Sequence, residues 1–262
     1  MTSPHGDKEA DEAVPPPLEG YGAPTSTQPK LRVVNIPLRR NNSTLRFYPS
    51  IITNSDLPRY QSTMATCQLY RQYTFGGGNY LEPRVHVMLS SSSRRRPTLG
   101  YSYHGVKMRP LPIDLVPEFE GLAKDYAERF ELPQNKWSIG VDLIVYRDGK
   151  DSIGWHADDT QAENCVLAVV IESDGIRPVC IRPNKKVKDL EEGDEEVELY
   201  PGQGDGYELD AGCQQGYEHA LPKRKEVKAR RMVAIFRQGE SMRIAKLRLM
   251  KHDMSNSSLH FL

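Results

Sequence analysis

The seven-residue run Cys165–Ile171 is the longest apolar stretch in the chain and the feature that most constrains its fold. It carries no charge and is rich in β-branched residues, which predicts a short strand buried on both faces. A membrane-spanning helix needs about 20 such residues, so no membrane partner is expected. Upstream, Ile139, Val141, Leu143 and Val145 alternate with Gly140, Asp142 and Tyr146, which is strand periodicity. Arg46–Ile52, Pro178–Arg182, Tyr207–Ala211 and Met232–Arg237 read as further short strands. Asp114–Glu131 reads as a helix, with Leu115, Phe119, Leu122, Ala123, Tyr126 and Phe130 on one face, Asp114 as N-cap and Pro117 in the first turn. One helix followed by many strands, punctuated by 20 Gly and 19 Pro, predicts a β-sandwich or barrel.

The 262 residues suit one large domain or two small ones, and 38% hydrophobic residues can supply a core. Residues 1–30 hold Pro4, Pro15, Pro16, Pro17, Pro24 and Pro29 but few large apolar residues, so they read as a disordered tail. A single domain is expected over residues 31–262. The four cysteines form no CxxC pair and the N-terminal stretch has no apolar signal segment. A reduced intracellular protein, nuclear or cytoplasmic, is the expectation, most simply a monomer.

Lys plus Arg and Asp plus Glu are each 35, which excludes a whole-chain basic footprint for nucleic acid and leaves only local ones. Arg94-Arg95-Arg96 follows a serine run, with Arg84, Lys107 and Arg109 nearby. Lys223–Lys251 holds eleven basic residues against Glu226 and Glu240. Such stretches either neutralise phosphates or form a solvated face. Asp189–Glu198 carries seven acids and reads as an exposed loop between strands.

The tripeptide His156-Ala157-Asp158 carries the chemistry. On a strand, alternate residues project to one side and can converge on one ion. With a distant His219, two imidazoles and a carboxylate make a facial triad suited to iron(II), leaving three positions open. Taken alone, the tripeptide more often marks a turn in which Asp158 caps a loop and His156 packs on Trp155. Downstream, Arg231 and Arg237 lie six apart on an apolar strand pattern, so their side chains share one face. Two guanidinium groups there suit a dicarboxylate, which arginine binds bidentately. The alternative is surface pairing with the acidic loop, against which the apolar residues Met232–Phe236 argue.

The run Tyr146-Arg-Asp-Gly-Lys-Asp-Ser-Ile-Gly-Trp-His156-Ala-Asp158-Asp159 closely resembles the AlkB-like iron(II)/2-oxoglutarate dioxygenases. So do Gly204-Asp205, Gln214, Tyr217, His219-Ala-Leu-Pro222 and the stretch Arg231–Arg237. Pro83-Arg84 and Tyr101-Ser-Tyr103-His-Gly105 resemble that family's substrate lid. The resemblance covers about residues 45–240 and is densest from Trp137 onward. It implies a mainly β (α+β) fold, a double-stranded β-helix (jelly-roll) core with N-terminal helical support. A substrate lid would lie at about residues 70–112 and the catalytic core at about 137–240.

The resemblance assigns His156, Asp158 and His219 as iron ligands and catalytic centre. Tyr146 and Arg231 would hold the distal carboxylate of 2-oxoglutarate, with Arg237 near its keto-acid end. Arg84, Tyr101 and Tyr103 would contact an extruded base, and Asp159 would orient a ligand or Arg231. The implied cofactors are iron(II), 2-oxoglutarate and O2, and the implied activity is oxidative demethylation of N-alkylated bases in DNA or RNA. Departures are Ile144 and Val233, where the family often has asparagine, and Thr160, where many repair members carry an acid. The other readings are a 2-oxoglutarate oxygenase acting on a protein or small molecule, and a non-catalytic nucleic-acid-binding module.

Overall fold

A computed structural model of the chain describes residues 32–75, 80–90, 101–103, 106–108, 110–129, 137–158, 166–174, 177–185 and 196–240. For residues 75, 101–103, 106–108, 137, 138 and 238–240 only the backbone is described. In chain order the strands and helices are β1 Val34–Pro37, β2 Thr44–Tyr48, α1 Leu57–Thr66, β3 Thr74–Phe75, β4 Tyr80–Leu81 and β5 Val85–Ser90. Then come β6 Tyr101–Tyr103, β7 Val106–Met108, β8 Leu111–Pro112, α2 Pro117–Arg129, β9 Trp137–Tyr146 and β10 Ile153–His156. The chain continues with β11 Val166–Glu172, β12 Val179–Pro183, β13 Val197–Leu199, β14 Gly206–Leu209, α3 Ala211–Gly216, β15 Tyr217–Leu221 and β16 Arg231–Glu240.

Eight strands form the major sheet in the order β1-β2-β14-β11-β16-β9-β5-β8, and four form the minor sheet, β10-β15-β12-β13. The two sheets make the double-stranded β-helix. The apolar run sits at the major sheet's centre: β11 pairs antiparallel with β14 on one side and β16 on the other. That placement explains its lack of alternation, because both of its faces are covered. Leu167, Val169 and Ile171 face the helices, while Ala168 and Val170 face the minor sheet.

The major sheet therefore has two cores. On its outer face Val141, Leu143, Val145, Met232, Ala234 and Phe236 pack under Leu57 and Met64 of α1 and Phe119, Ala123 and Tyr126 of α2. On its inner face Ile144, Tyr146, Val233, Tyr207 and Leu209 meet Val179, Ile181 and Leu221 of the minor sheet. The polar set of the β9 alternation is thus not solvated: Asp142 and Tyr146 are both buried.

Several expected boundaries shift. The helix expected from Asp114 starts at Pro117, preceded by a 3-10 turn over Ile113–Leu115. Val116 has φ −138° and ψ 71°, out of the helical region, because a residue before proline is disfavoured there. Asp114 is consequently no cap of α2, and Leu115 is half exposed rather than on the core face. The strand expected over Tyr207–Ala211 ends at Leu209, and the Asp210 carboxylate accepts from the Cys213 amide at 2.9 Å to cap α3. The region expected to be a lid contains β5, an internal strand of the major sheet that pairs with β9 over six residue pairs. Residues 1–31, Gly76–Gly78, Phe130 and Cys165 lie outside the described residues.

Phe119 is fully buried and packs against Tyr60 at a tilt, ring centroids 5.4 Å apart. Phe119→Ala is expected to cost about 3–5 kcal/mol, read as a lower urea midpoint with an unchanged m-value.

Candidate metal centre

Strands β10 and β15 pair antiparallel so that His156 and His219 stand directly opposite each other, their rings 4.3 Å apart. Between Ile153 and His156 the register shifts. The His156 Nδ1 lies 2.8 Å from the Gly154 carbonyl, to which it donates, leaving Nε2 as the coordinating atom. Asp158 lies two residues beyond the end of β10, so the convergence does not come from strand alternation. Its backbone amide donates to Gln214 Oε1 of α3 at 2.9 Å, which turns the carboxylate inward. The ligand atoms of His156, Asp158 and His219 lie within 4.8 Å of one another.

The protonation states fit a metal site. Burial pushes the His219 imidazole down to about 3, with His156 adding to the effect. Burial also lowers His156. Both are neutral at pH 7, the form in which imidazole coordinates metals. Burial would raise the Asp158 carboxyl, but Arg237 and the two histidines hold it well below the usual carboxylate range. Asp158 Oδ1 accepts from Arg237 Nη2 at 2.8 Å. Its Oδ2 is buried without a hydrogen-bond donor, 3.6 Å from His219 Nε2. An ionised oxygen left bare in the interior is costly, and a divalent cation between it and the two imidazoles removes the cost.

The pocket that opens on this triad is also lined by Tyr146, Tyr207, Arg231 and Arg237. Arg231 stands opposite Tyr146 in the β9–β16 ladder and is 2% exposed. Its Nη1 donates to Ser173 Oγ at 3.1 Å, while Nη2 is buried without an acceptor. Burial lowers its pKa, with Tyr207 and Tyr146 opposing, and no carboxylate hydrogen-bonds to it among the described residues. A buried guanidinium with an unused donor is a receptor for an anion. Burial pushes the Tyr207 phenol up to about 12, so it faces Arg231 as a neutral hydroxyl.

Arg237 shares the face of Arg231 as expected, but its role differs. Its fork is engaged by Asp158 at 2.8 Å and lies 3.9 Å from Asp142 Oδ2, so it braces a candidate metal ligand. Arg84 lines the same pocket yet is only 4% exposed and is ion-paired to Glu82. Tyr101 and Tyr103 fall on β6, paired with β7, where only the backbone is described. Asp159 and Thr160 lie outside the described residues. The Gly204-Asp205 motif is a turn: Gly204 has φ +83°, and Asp205 accepts from the amides of Ser50 and Gly202.

Sequence reasoning missed Tyr207, Ser173 and Arg177. Arg177 is 1% exposed and donates to the carbonyls of Asp148, Asp151 and Pro222, tying the loop before β10 to the end of β15. Gly149 in that loop approaches Arg224 so closely that a Cβ would sit 1.7 Å from its carbonyl oxygen. The local sequence Asp174-Gly175-Ile176-Arg177 offers no signal by itself; only contact reveals it. A second cluster, Cys180 with Glu196 and Glu198, lacks the triad's character. Burial pushes the Cys180 thiol up to about 11, and Glu198 is already engaged by Arg224 and Tyr200.

No protein-family model matches the sequence. No curated protein matches it by sequence. Solved structures do match in fold. The chain is similar to a prolyl hydroxylase from Trichoplax adhaerens, solved with a peptide of the hypoxia inducible factor oxygen degradation domain. The TM-score is 0.50, with 7% identity over 75% of this chain and 83% of that one. It is also similar to the non-heme α-ketoglutarate-dependent epimerase SnoN of nogalamycin biosynthesis, with TM-score 0.48 and 12% identity over 74% and 76% of the two chains. A 2OG-Fe(II) oxygenase family oxidoreductase from Burkholderia pseudomallei gives TM-score 0.45 and 12% identity over 74% and 84%. At 7% identity the first likeness establishes a shared fold, the double-stranded β-helix.

Two outcomes are expected. His156→Ala and Asp158→Ala abolish cobalt(II) binding read by visible absorption, while Gln214→Ala weakens it by about tenfold. The second concerns His86, whose pKa is raised to about 9: burial opposes the shift, but Asp142 and Glu82 overcome it. The folded value exceeds the unfolded value of 6.5, so this stabilisation is complete below that pH and is lost as pH rises through about 9. Apo-protein melting temperature should fall across that window, and the fall should be absent in His86→Gln.

Proposed function

We propose that the chain is an iron(II)- and 2-oxoglutarate-dependent dioxygenase that oxidatively demethylates N-alkylated bases in nucleic acid. One observation carries the oxygenase reading: a His-Asp-His set with a buried, bare carboxylate oxygen shares a pocket with a buried arginine whose Nη2 has no acceptor. The metal fits the first and a carboxylate fits the second. When bound, the iron, O2 and 2-oxoglutarate supply the oxidation of a substrate C–H bond, with succinate and carbon dioxide as coproducts; a hydroxylated N-methyl group then releases formaldehyde.

The chain's own residues bind, orient and exclude water. Gly154 holds the proton on His156 Nδ1. Gln214 and Arg237 fix Asp158 by its amide and by Oδ1. Arg231, flanked by the hydroxyls of Tyr146 and Tyr207, takes the distal carboxylate. Ile144, Ala168, Val179, Leu221 and Val233 line the pocket with apolar surface, which strengthens the Arg231–carboxylate attraction by excluding water.

The nucleobase reading rests on the resemblance of Tyr146–Asp159 and Arg231–Arg237 to AlkB-like dioxygenases, and on the basic stretch from Lys223. A protein or small-molecule substrate is the second reading. It is favoured by Arg230, which pairs with Glu172, and Arg224, which lies 3.8 Å from Glu198, so part of the basic stretch is neutralised.

The test is formaldehyde and succinate release from single- and double-stranded DNA and RNA oligonucleotides carrying N-methylated bases. Equimolar formaldehyde and succinate on any of them establishes the nucleobase reading. Succinate formation without formaldehyde across the panel defeats it in favour of the second. Under anaerobic iron(II), 2-oxoglutarate should give a visible metal-to-ligand charge-transfer band. Arg231→Ala should weaken 2-oxoglutarate binding by about 30- to 100-fold, the loss of a charge-assisted hydrogen-bonded pair.

A further inference from the structure

Arginine facing a carboxylate ordinarily closes a two-pronged fork on both oxygens. Arg237 does not do so with Asp158. Its Nη2 reaches Oδ1 at 2.8 Å, whereas Oδ2 receives no hydrogen bond. The guanidinium's Nη1 lies instead 3.9 Å from Oδ2 of Asp142, a fully buried carboxylate on β9. Asp142 is itself anchored. Its Oδ1 lies 3.0 Å from Nδ1 of His86, a fully buried residue of β5. The opposite nitrogen of that ring, Nε2, lies 2.9 Å from Oε2 of Glu82, and Glu82 is ion-paired to Arg84. Ionised carboxylates have no hydrogen to give, so an imidazole between two of them donates from both nitrogens and carries a charge. The result is a buried row of alternating sign, Arg84, Glu82, His86, Asp142, Arg237, Asp158, ending on a metal ligand.

We infer that Asp142, held by His86, is a positioning residue that draws Arg237 away from a two-pronged fork on Asp158 and so keeps one carboxylate oxygen open for the metal. The inference rests on the metal-centre reading above. The argument is one of competition. With both oxygens tied to Arg237, each would already accept a charged hydrogen bond, and Asp158 would present a weaker donor oxygen toward the histidines. With Asp142 in place, one arm of the fork is hydrogen-bonded to Asp158 and the other lies within ion-pair range of Asp142, 3.9 Å away. Asp142 also avoids being an uncompensated buried charge, since His86 and Arg237 flank it.

The experiment measures cobalt(II) and iron(II) affinity by anaerobic titration, without cosubstrate, in full-length wild type, Asp142→Asn, His86→Gln, Arg237→Lys and Asp142→Asn/Arg237→Lys. Thermal unfolding of each confirms that it is folded. Asp142→Asn should bind metal ten- to hundredfold more weakly, as does loss of a residue that orients a ligand. His86→Gln should shift the same way by a smaller factor. The decisive member is the double variant. A lysine ammonium cannot fork across both oxygens, so adding Arg237→Lys to Asp142→Asn should recover metal affinity to that of Arg237→Lys alone. A merely structural role predicts additive losses instead. Folded Asp142→Asn and His86→Gln proteins with wild-type affinity overturn the inference, as does a double variant weaker than either single one. If Asp142→Asn does not fold, His86→Gln and its combination with Arg237→Lys carry the same comparison. Failure of the wild type to bind metal defeats the metal-centre reading itself, an outcome separate from these.

Discussion

Asp158 is a charge with almost no water around it, and the rest of the site is arranged about that fact. Its carboxylate is buried, so its ionised form depends on neighbours. Arg237 compensates one oxygen directly, and the neutral histidines leave the other to a cation. Arg237 is a strand residue with its own second carboxylate, Asp142, and Asp142 with His86 extends the compensation to β5. Desolvation thus links Asp158, just beyond the end of β10, to a strand of the other sheet. Moving any one of these charges leaves its neighbour unpaired in a medium that penalises such groups heavily.

The same constraint explains how the major sheet is used. Each inner strand has one face under the helices and one toward the minor sheet. The helix-facing set is wholly apolar, Val141, Leu143, Val145, Met232, Ala234 and Phe236. The inward set mixes apolar walls with buried charge: Asp142, Ile144 and Tyr146 on β9, and Arg231, Val233, Ile235 and Arg237 on β16. The stiff outer core holds backbone positions, and the ladder then sets the spacing of Arg231 and Arg237 on the inner face. Arg231 opposite Tyr146 is a register outcome of the β9–β16 ladder.

Much of this was readable before any coordinates. The strand run at 165–171, the alternation at 139–146 and the strand carrying Arg231 and Arg237 all mapped onto the sheet that forms the frame. The three ligand residues were named from the tripeptide and from His219, and the structure brings them within reach of one ion. Where the reading erred, a local competitor decided. Pro117 displaced the helix start through the conformation of Val116, and the Asp210 side chain turned a strand into the cap of α3. The pairing of Arg237 with Asp158 and Asp142 has no local signal, because two arginines on one face look alike in sequence. Asp142 stands in the sequence as the polar member of an alternating strand, and nothing local says that it is buried.

The sequence by itself determined which elements exist and which chemistry is available. Hydrophobic period and ligand-type residues are local properties that do not depend on partners. Tertiary structure alone decided protonation and role. His86 is charged while His156 and His219 are neutral, although all three are histidines on strands. The difference is what each ring faces: two carboxylates around His86, and a facing imidazole with one shared carboxylate at the metal centre. Those neighbours come from segments far apart in the chain, and only the pairing of strands across two sheets brings them together.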